Sequence, residues 1–248
     1  MQEKQRQYMK PLGQAFPDTE RRNMFPTVLP AEEWWGVLEN YGIKIWPAQI
    51  GFFAAAVVIV LMVFLKPGRT ADRLLKLYMA LSFGWIGAVF FLTLGKGLVG
   101  NYLFGSLFVV VAVLFAVDLF RQRMMFHPPN IRWQWNLTTL LGIIILCYPA
   151  FSLLVRHQFP RTVYPGTFPC PTTALALLLL TFALPRVDKI IYFILVFWAI
   201  PFPLLIQIPR YGVYEDIIMF AVGVYSLIML VRDWTEKPVP DRGMQPLS

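Results

Sequence analysis

The side chains of this 248-residue chain that could do chemistry are few, and they fall in five short stretches. These are Gln49 at the end of Ile45-Trp46-Pro47-Ala48-Gln49, Asn101 beside Tyr102, a Pro-rich run over 164–173, Gln207, and a final group of Arg210, Tyr211, Tyr214, Glu215 and Asp216. Three amides, two phenols, a guanidinium and two adjacent carboxylates could build a shallow polar pocket or docking surface, floored by Gln49 and Gln207 and ringed by the rest. An enzyme using Arg210, Glu215 and Asp216 would need one carboxylate perturbed by its surroundings beside a substrate-sized cavity. The acids also have a purely structural use. They suit a helix N-terminus, where backbone N–H groups lack partners, and Arg210 is near enough to pair with them. The sequence admits both readings.

Counting ligands excludes other chemistries. The chain holds 2 Cys and 2 His. His127 and His157 fall in successive connections on opposite sides of a membrane, so they cannot share a metal ion or a haem iron. No zinc-type Cys or His spacing occurs, and neither a P-loop nor a dinucleotide-binding glycine pattern is found. No intrinsic cofactor and no metal are expected. Cys147 and Cys170 read as small packing residues, with a bridge between them left open. The net charge of +8 sits in short basic clusters between apolar runs. Nucleic acid would need a continuous basic face, so nucleic-acid binding is not expected.

Membrane helices must position these residues. Hydrophobic residues make up 57% of the chain and charged ones 15%, where a soluble domain carries about 25% charge. A crossing helix needs about 20 apolar residues, because each rises only about 1.5 Å. Seven stretches free of Asp, Glu, Lys and Arg meet or approach that length: 45–65, 77–95, 97–117, 133–155, 162–185, 190–209 and 217–231. The fifth helix is expected to begin near Pro171, and a tight hairpin around Gly95-Lys96-Gly97 joins the second span to the third. The expected fold is all-α: an integral membrane helical bundle of about seven transmembrane helices. Lipid satisfies no exposed backbone hydrogen bonds, and the ten-residue alternation of a barrel is missing.

The placement of Lys and Arg sets the orientation. Twelve fall in one set of alternating connections and the C-terminal tail, against four in the other set, namely Lys96, Arg156, Arg161 and Arg210. The N-terminal tail carries six basic residues balanced by six acidic ones. The N-terminus is therefore expected outside and the C-terminus in the cytoplasm, with all five chemical stretches on the external face. Residues 1–30 are rich in Gln, Pro and charge and are expected to form an extended or disordered tail. Residues 31–44 suit an interfacial amphipathic helix carrying Trp34, Trp35, Leu38 and Tyr41. Residues 45–233 form the transmembrane domain, and 234–248 a cytoplasmic tail. No cleavable signal peptide is expected, since the first 40 residues lack an apolar core.

Within the spans, Ala80, Gly84 and Ala88 recur every fourth residue, and Gly51 and Ala55 repeat that spacing. Such rows let helices approach closely. Pro201 and Pro203 each remove a backbone donor near the middle of the sixth span, so a kink is expected there, for packing or to line a transport path. No ionisable residue falls near a span centre, which weakens ion-coupled transport. Asp118 closes the third span and can pair with Arg121.

The segments IWPAQ (45–49), YLFGSLFVVVAVLF (102–115) and FPCPTT (168–173), the sixth span with Trp198, and the Glu215-Asp216 pair together resemble domain-of-unknown-function family 6064. The resemblance covers roughly 33–231. The chain departs from it in a longer N-terminal tail and in Pro201 and Pro203, where the family is Gly- and Ser-like. It implies a bacterial multi-pass protein of the plasma (inner) membrane and assigns no activity or catalytic residue. Three functions stay open. The favoured one is a structural or accessory subunit that packs against partner membrane proteins or copies of itself. The others are a small-solute transporter or channel using the proline-broken sixth helix, and a membrane-embedded enzyme at the outer face.

Overall fold

The computed structural model describes residues 29–98, 100–155 and 159–235, and every regular element among them is helical. α1 (Ala31–Leu65) is a single helix of 35 residues. Glu32 and Glu33 stand in its first turn, where acidic side chains face unpaired N–H groups. The 31–44 stretch thus runs straight into the first span, past Pro47, without a break. Its aromatic face turns inward, with Trp34, Trp35, Leu38 and Tyr41 buried at helical spacing. Tyr41 donates to the Thr167 carbonyl at 2.7 Å and accepts from Trp85 Nε1 at 3.0 Å.

α2 (Arg69–Leu94) and α3 (Asn101–Arg121) form a hairpin through Gly95-Lys96-Gly97. From Ile86 to Leu94 α2 widens into π-helical turns, and the Gly95 N–H closes them on the Phe90 carbonyl at 2.7 Å. Gly100 then leads into α3 with a φ of 73°, a left-handed conformation that glycine tolerates without strain. The two helices come closest at Gly87 and Gly105. A Cβ on Gly87 would stand 2.7 Å from Val109 Cγ2 and 2.8 Å from the Gly105 carbonyl oxygen. Of the expected small-residue row, Ala80 is half-buried, Gly84 faces Ala112, and Ala88 is exposed. The helix widens just before Ala88, so straight-helix spacing no longer gives the contact face. In α1, Ala55 packs at the edge of the core, while Gly51 is exposed with nothing within 4 Å of a Cβ.

α4 (Arg132–Leu146) and α5 (Tyr148–Leu154) meet at a bend of 57°. Pro149, in the first turn of α5, has no N–H to continue the ladder of α4. The sharp break therefore lies in the fourth expected span. The sixth, α7 (Lys189–Tyr211), accommodates Pro201 and Pro203 with a widened stretch over Pro203–Gln207. Its start is capped by Asp188, which accepts from the N–H groups of Ile190 and Ile191 at 2.9 and 3.3 Å.

α6 (Pro169–Leu180) forms the centre of the bundle. All 12 of its residues are buried, and α2, α4, α7 and α8 (Ile217–Thr235) pack around it. It is apolar on every side, as a core helix must be. At about 1.5 Å per residue it measures about 18 Å, short of a hydrocarbon layer of about 30 Å. Among the described residues, five helical segments are long and apolar enough to cross a membrane: α1, α2, α3, α7, and α8 with its leading turn (Tyr214–Thr235). The bent α4–α5 pair makes a sixth if it is one span.

One ionic cluster is buried between α2 and α3. Lys76 Nζ lies 2.8 Å from Asp118 Oδ2, and the lysine side chain is 1% exposed. Asp118 also accepts from the N–H groups of Arg123 and Met124 at 3.0 and 3.3 Å. Asp72 accepts the Phe126 N–H at 3.2 Å. The expected partner of Asp118, Arg121, is exposed instead. Gln122 ends α3 with a φ of 50°, which turns the following backbone over the carboxylate. Lys76, reaching across from the neighbouring helix, supplies the charge.

Candidate functional site

The bend between α4 and α5 brings partners to the acidic pair. Tyr148 and Ser152 are one helical turn apart, so they share a face of α5. Tyr148 OH donates to Asp216 Oδ1 at 2.6 Å, and Ser152 Oγ donates to Glu215 Oε1 at 3.0 Å. All four side chains are buried. The shorter contact falls in the range for a hydroxyl donating to an ionised carboxylate. Cys170, in the first turn of α6, lines the cavity together with Asp216. The carboxylate thus lies against the N-terminal end of the core helix, where the backbone dipoles favour an anion. Tyr148→Phe keeps the ring and removes the donor. It is expected to cost about 1–3 kcal/mol, read as a lower melting temperature in detergent.

Beside Asp216 lies a cavity of about 250 Å³. Its wall is aromatic, with Trp34, Phe91, Phe104, Trp198, Phe202 and Tyr211 among the lining residues. Trp34 stacks on Tyr211 with ring centroids 4.3 Å apart, and Trp198 stacks on Phe202 at 4.1 Å. Among the described residues, the side-chain polar groups lining the cavity are those of Asp216, Cys170 and Gln207, along with the Trp and Tyr ring heteroatoms. Gln207 is 8% exposed, and its Oε1 has no hydrogen-bond partner.

The rim is tied down from α1. Trp35 Nε1 donates to the Tyr211 carbonyl at 3.0 Å. Arg161 pairs with Glu39 at 2.6 Å and lies over the Trp35 ring at 5.4 Å. These contacts hold the first turns of α1 to both the 159–168 segment and the end of α7.

The structure sorts the residues expected to form the site. Gln207, Tyr211 and Asp216 line the cavity. Gln49 is buried without a partner for either amide atom and does not line it, because it lies about three turns further along α1 than the lining residue Leu38. Asn101 is buried just beyond the lining residue Gly100. Glu215 turns to Ser152, while Tyr214 is exposed, as is Arg210, which hydrogen-bonds Tyr211. Among the described residues, the space beside Asp216 is lined mostly by apolar side chains. Tyr148 and Ser152 escaped the sequence reading, although two hydroxyls one turn apart in an apolar run were a usable signal. Cys147 and Cys170 are free thiols, and His157 lies outside the described residues. Among the described residues, no three His, Cys, Asp or Glu side chains converge on a metal position.

Neither a curated protein nor a solved structure matches the chain. The family of unknown function DUF6064 matches residues 31–238, from the first residue of α1 to beyond the last of α8, and the chain belongs to that family.

Proposed function

We propose that the protein is a multi-pass membrane protein that holds a small, mostly apolar molecule in the cavity beside Asp216. The cavity itself carries this reading: about 250 Å³ of space, walled by aromatic rings and furnished with a carboxylate and an amide. Empty space of that size forfeits dispersion contacts, so a ligand that fills it regains them. Seven crossings are supported by how the connections sort. The cavity gathers the start of α1, the α2–α3 turn, the segment before α6 and the α7–α8 turn, while the clefts at the other end gather Pro67, His127 and Leu184. α6 then completes the fifth crossing with irregular backbone on either side, which a bilayer tolerates where protein buries it. The basic residues favour an external N-terminus, a cytoplasmic C-terminus and a bacterial inner-membrane location. A cysteine placed at position 10 that an impermeant reagent labels only after lysis would overturn that orientation.

A second reading, an accessory subunit packed on partner membrane proteins or on a second copy, is supported by Gly51, a small residue on an exposed face of α1. One preparation tests both. Purified in mild detergent, the wild-type protein is expected to retain a small molecule seen by native mass spectrometry, and Ile206→Trp, which fills the cavity, is expected to lose it. Equal occupancy in the two proteins, or none in either, would overturn the ligand-binding reading. Stoichiometric co-purifying chains would favour the subunit reading, and a lone monomer would count against it.

A further inference from the structure

We infer that the molecule held in this cavity is an uncharged, one-ring compound carrying a hydroxyl, and that the hydroxyl donates to Gln207 Oε1. The inference rests on the ligand-binding reading above and deepens it. Gln207 lines the cavity and is 92% buried, yet its Oε1 accepts no hydrogen bond. The α7–α8 turn fixes the residue in this place. The Val213 N–H donates to the Gln207 backbone carbonyl at 3.2 Å, and Tyr211, one turn further on, stacks on Trp34. Asp216 takes a donor from within the fold, Tyr148 OH at 2.6 Å, whereas the Gln207 side-chain oxygen takes none. A buried acceptor left without a donor costs free energy, which a ligand's donor recovers.

A neutral amide oxygen calls for a donor and not for a charge. Against mostly apolar walls, a buried ion costs far more than a buried hydroxyl. A hydroxyl is also the smallest neutral donor, while an amide N–H would bring a carbonyl that needs a donor of its own. Water is a poorer occupant, because a buried water needs about 2–4 polar partners. The walls select the rest of the molecule. Trp198 stacks on Phe202 at 4.1 Å and meets Phe104 edge-on at 5.2 Å, and a planar ring extends packing of this kind. Size agrees. An apolar cavity of about 150 Å³ accepts benzene, so about 250 Å³ has room for one ring, its hydroxyl and a short substituent.

The test uses the full chain in phosphatidylcholine nanodiscs, with fluorine NMR as the readout and empty nanodiscs as the reference for partitioning into lipid. The probes are 4-fluorophenol, 4-fluoroanisole and 4-fluorotoluene. They share a ring, but the first offers a donor, the second an oxygen without a donor, and the third neither. 4-Fluorophenol is expected to bind about fivefold more tightly than each of the others. Gln207→Leu is expected to remove that advantage and leave 4-fluorotoluene binding unchanged. Equal binding of 4-fluorophenol and 4-fluorotoluene, or 4-fluoroanisole bound as tightly as 4-fluorophenol, overturns the inference. A folded Gln207→Leu protein that keeps the advantage overturns it too. Should that variant fail to fold, Gln207→Met takes its place, and the comparison of probes on the wild-type protein stands without either. If the probes bind equally and Ile206→Trp blocks them all, the ligand pocket survives and only the hydroxyl class falls. Binding that persists in Ile206→Trp takes the ligand-binding reading with it. No binding of any probe overturns the hydroxyl class, and retention of a small molecule by the purified protein then decides the pocket itself.

Discussion

Lys76→Met is expected to destabilise the bundle by about 3–5 kcal/mol, the loss typical of removing one partner from a buried ion pair. The lysine side chain is 1% exposed and its Nζ lies 2.8 Å from Asp118, so methionine leaves a carboxylate buried between α2 and α3 without a counter-charge. The N–H groups of Arg123 and Met124 still bind that carboxylate and place the loss toward the lower end of the range. Removing both charges, as in Lys76→Met with Asp118→Leu, should recover much of the stability, because two apolar side chains of similar volume leave nothing uncompensated. Thermal or denaturant unfolding in detergent, followed by circular dichroism, measures all three proteins. A double variant no more stable than the single one would show that the charges are not the cause.

Gly42→Ala is expected to do comparable damage through shape alone. A Cβ at Gly42 would overlap the carbonyl oxygen of Pro160, which is backbone and cannot rotate away as a side chain can. The 159–168 segment must then shift, at an overpacking cost of about 1–3 kcal/mol. That segment carries Val163 and Phe168 of the cavity wall, so ligand affinity should fall together with stability. Gly51→Ala, in the same helix with open space beside it, serves as the control. It should be neutral or stabilising by up to about 1 kcal/mol from helix propensity. Unfolding and retention of the bound small molecule, measured on both variants, separate the clash from any general effect of replacing glycine.

Most of the architecture was legible because hydropathy reports lengths. The spans expected over 45–65 and 190–209 lie within α1 and α7, and that over 97–117 overlaps α3 from Asn101 onward. The failures share a cause. Counting charge-free residues began the second span just after Lys76, whereas the helix begins at Arg69 and buries that lysine against a residue 42 positions away. Hydropathy also made no distinction between a helix bathed in lipid and one enclosed by protein. The fifth expected span therefore came out long, while the helix itself, α6, has 12 residues, all buried. The acidic pair was visible, but its partners are hydroxyls on a helix whose direction depends on the 57° bend before it. The cavity is a space left by tertiary packing, and no local pattern encodes it.

The length of α1 has a consequence for how a ligand arrives. Its 35 residues span about 52 Å, against a hydrocarbon layer of about 30 Å. With Leu65, just before Lys66, at one edge of that layer, Leu38 on the cavity wall stands about 40 Å along the axis and so about 10 Å past the other edge. A tilt of about 20° shortens this by only a few ångström. On the proposed membrane topology, the mouth of the cavity opens among the lipid headgroups, in neither bulk water nor hydrocarbon. Small amphiphilic molecules accumulate in that layer, with their apolar parts buried at the edge of the acyl chains. The proposed ligand would then reach the cavity from the bilayer surface, so that its occupancy follows its partitioning into the membrane more closely than its concentration in bulk water.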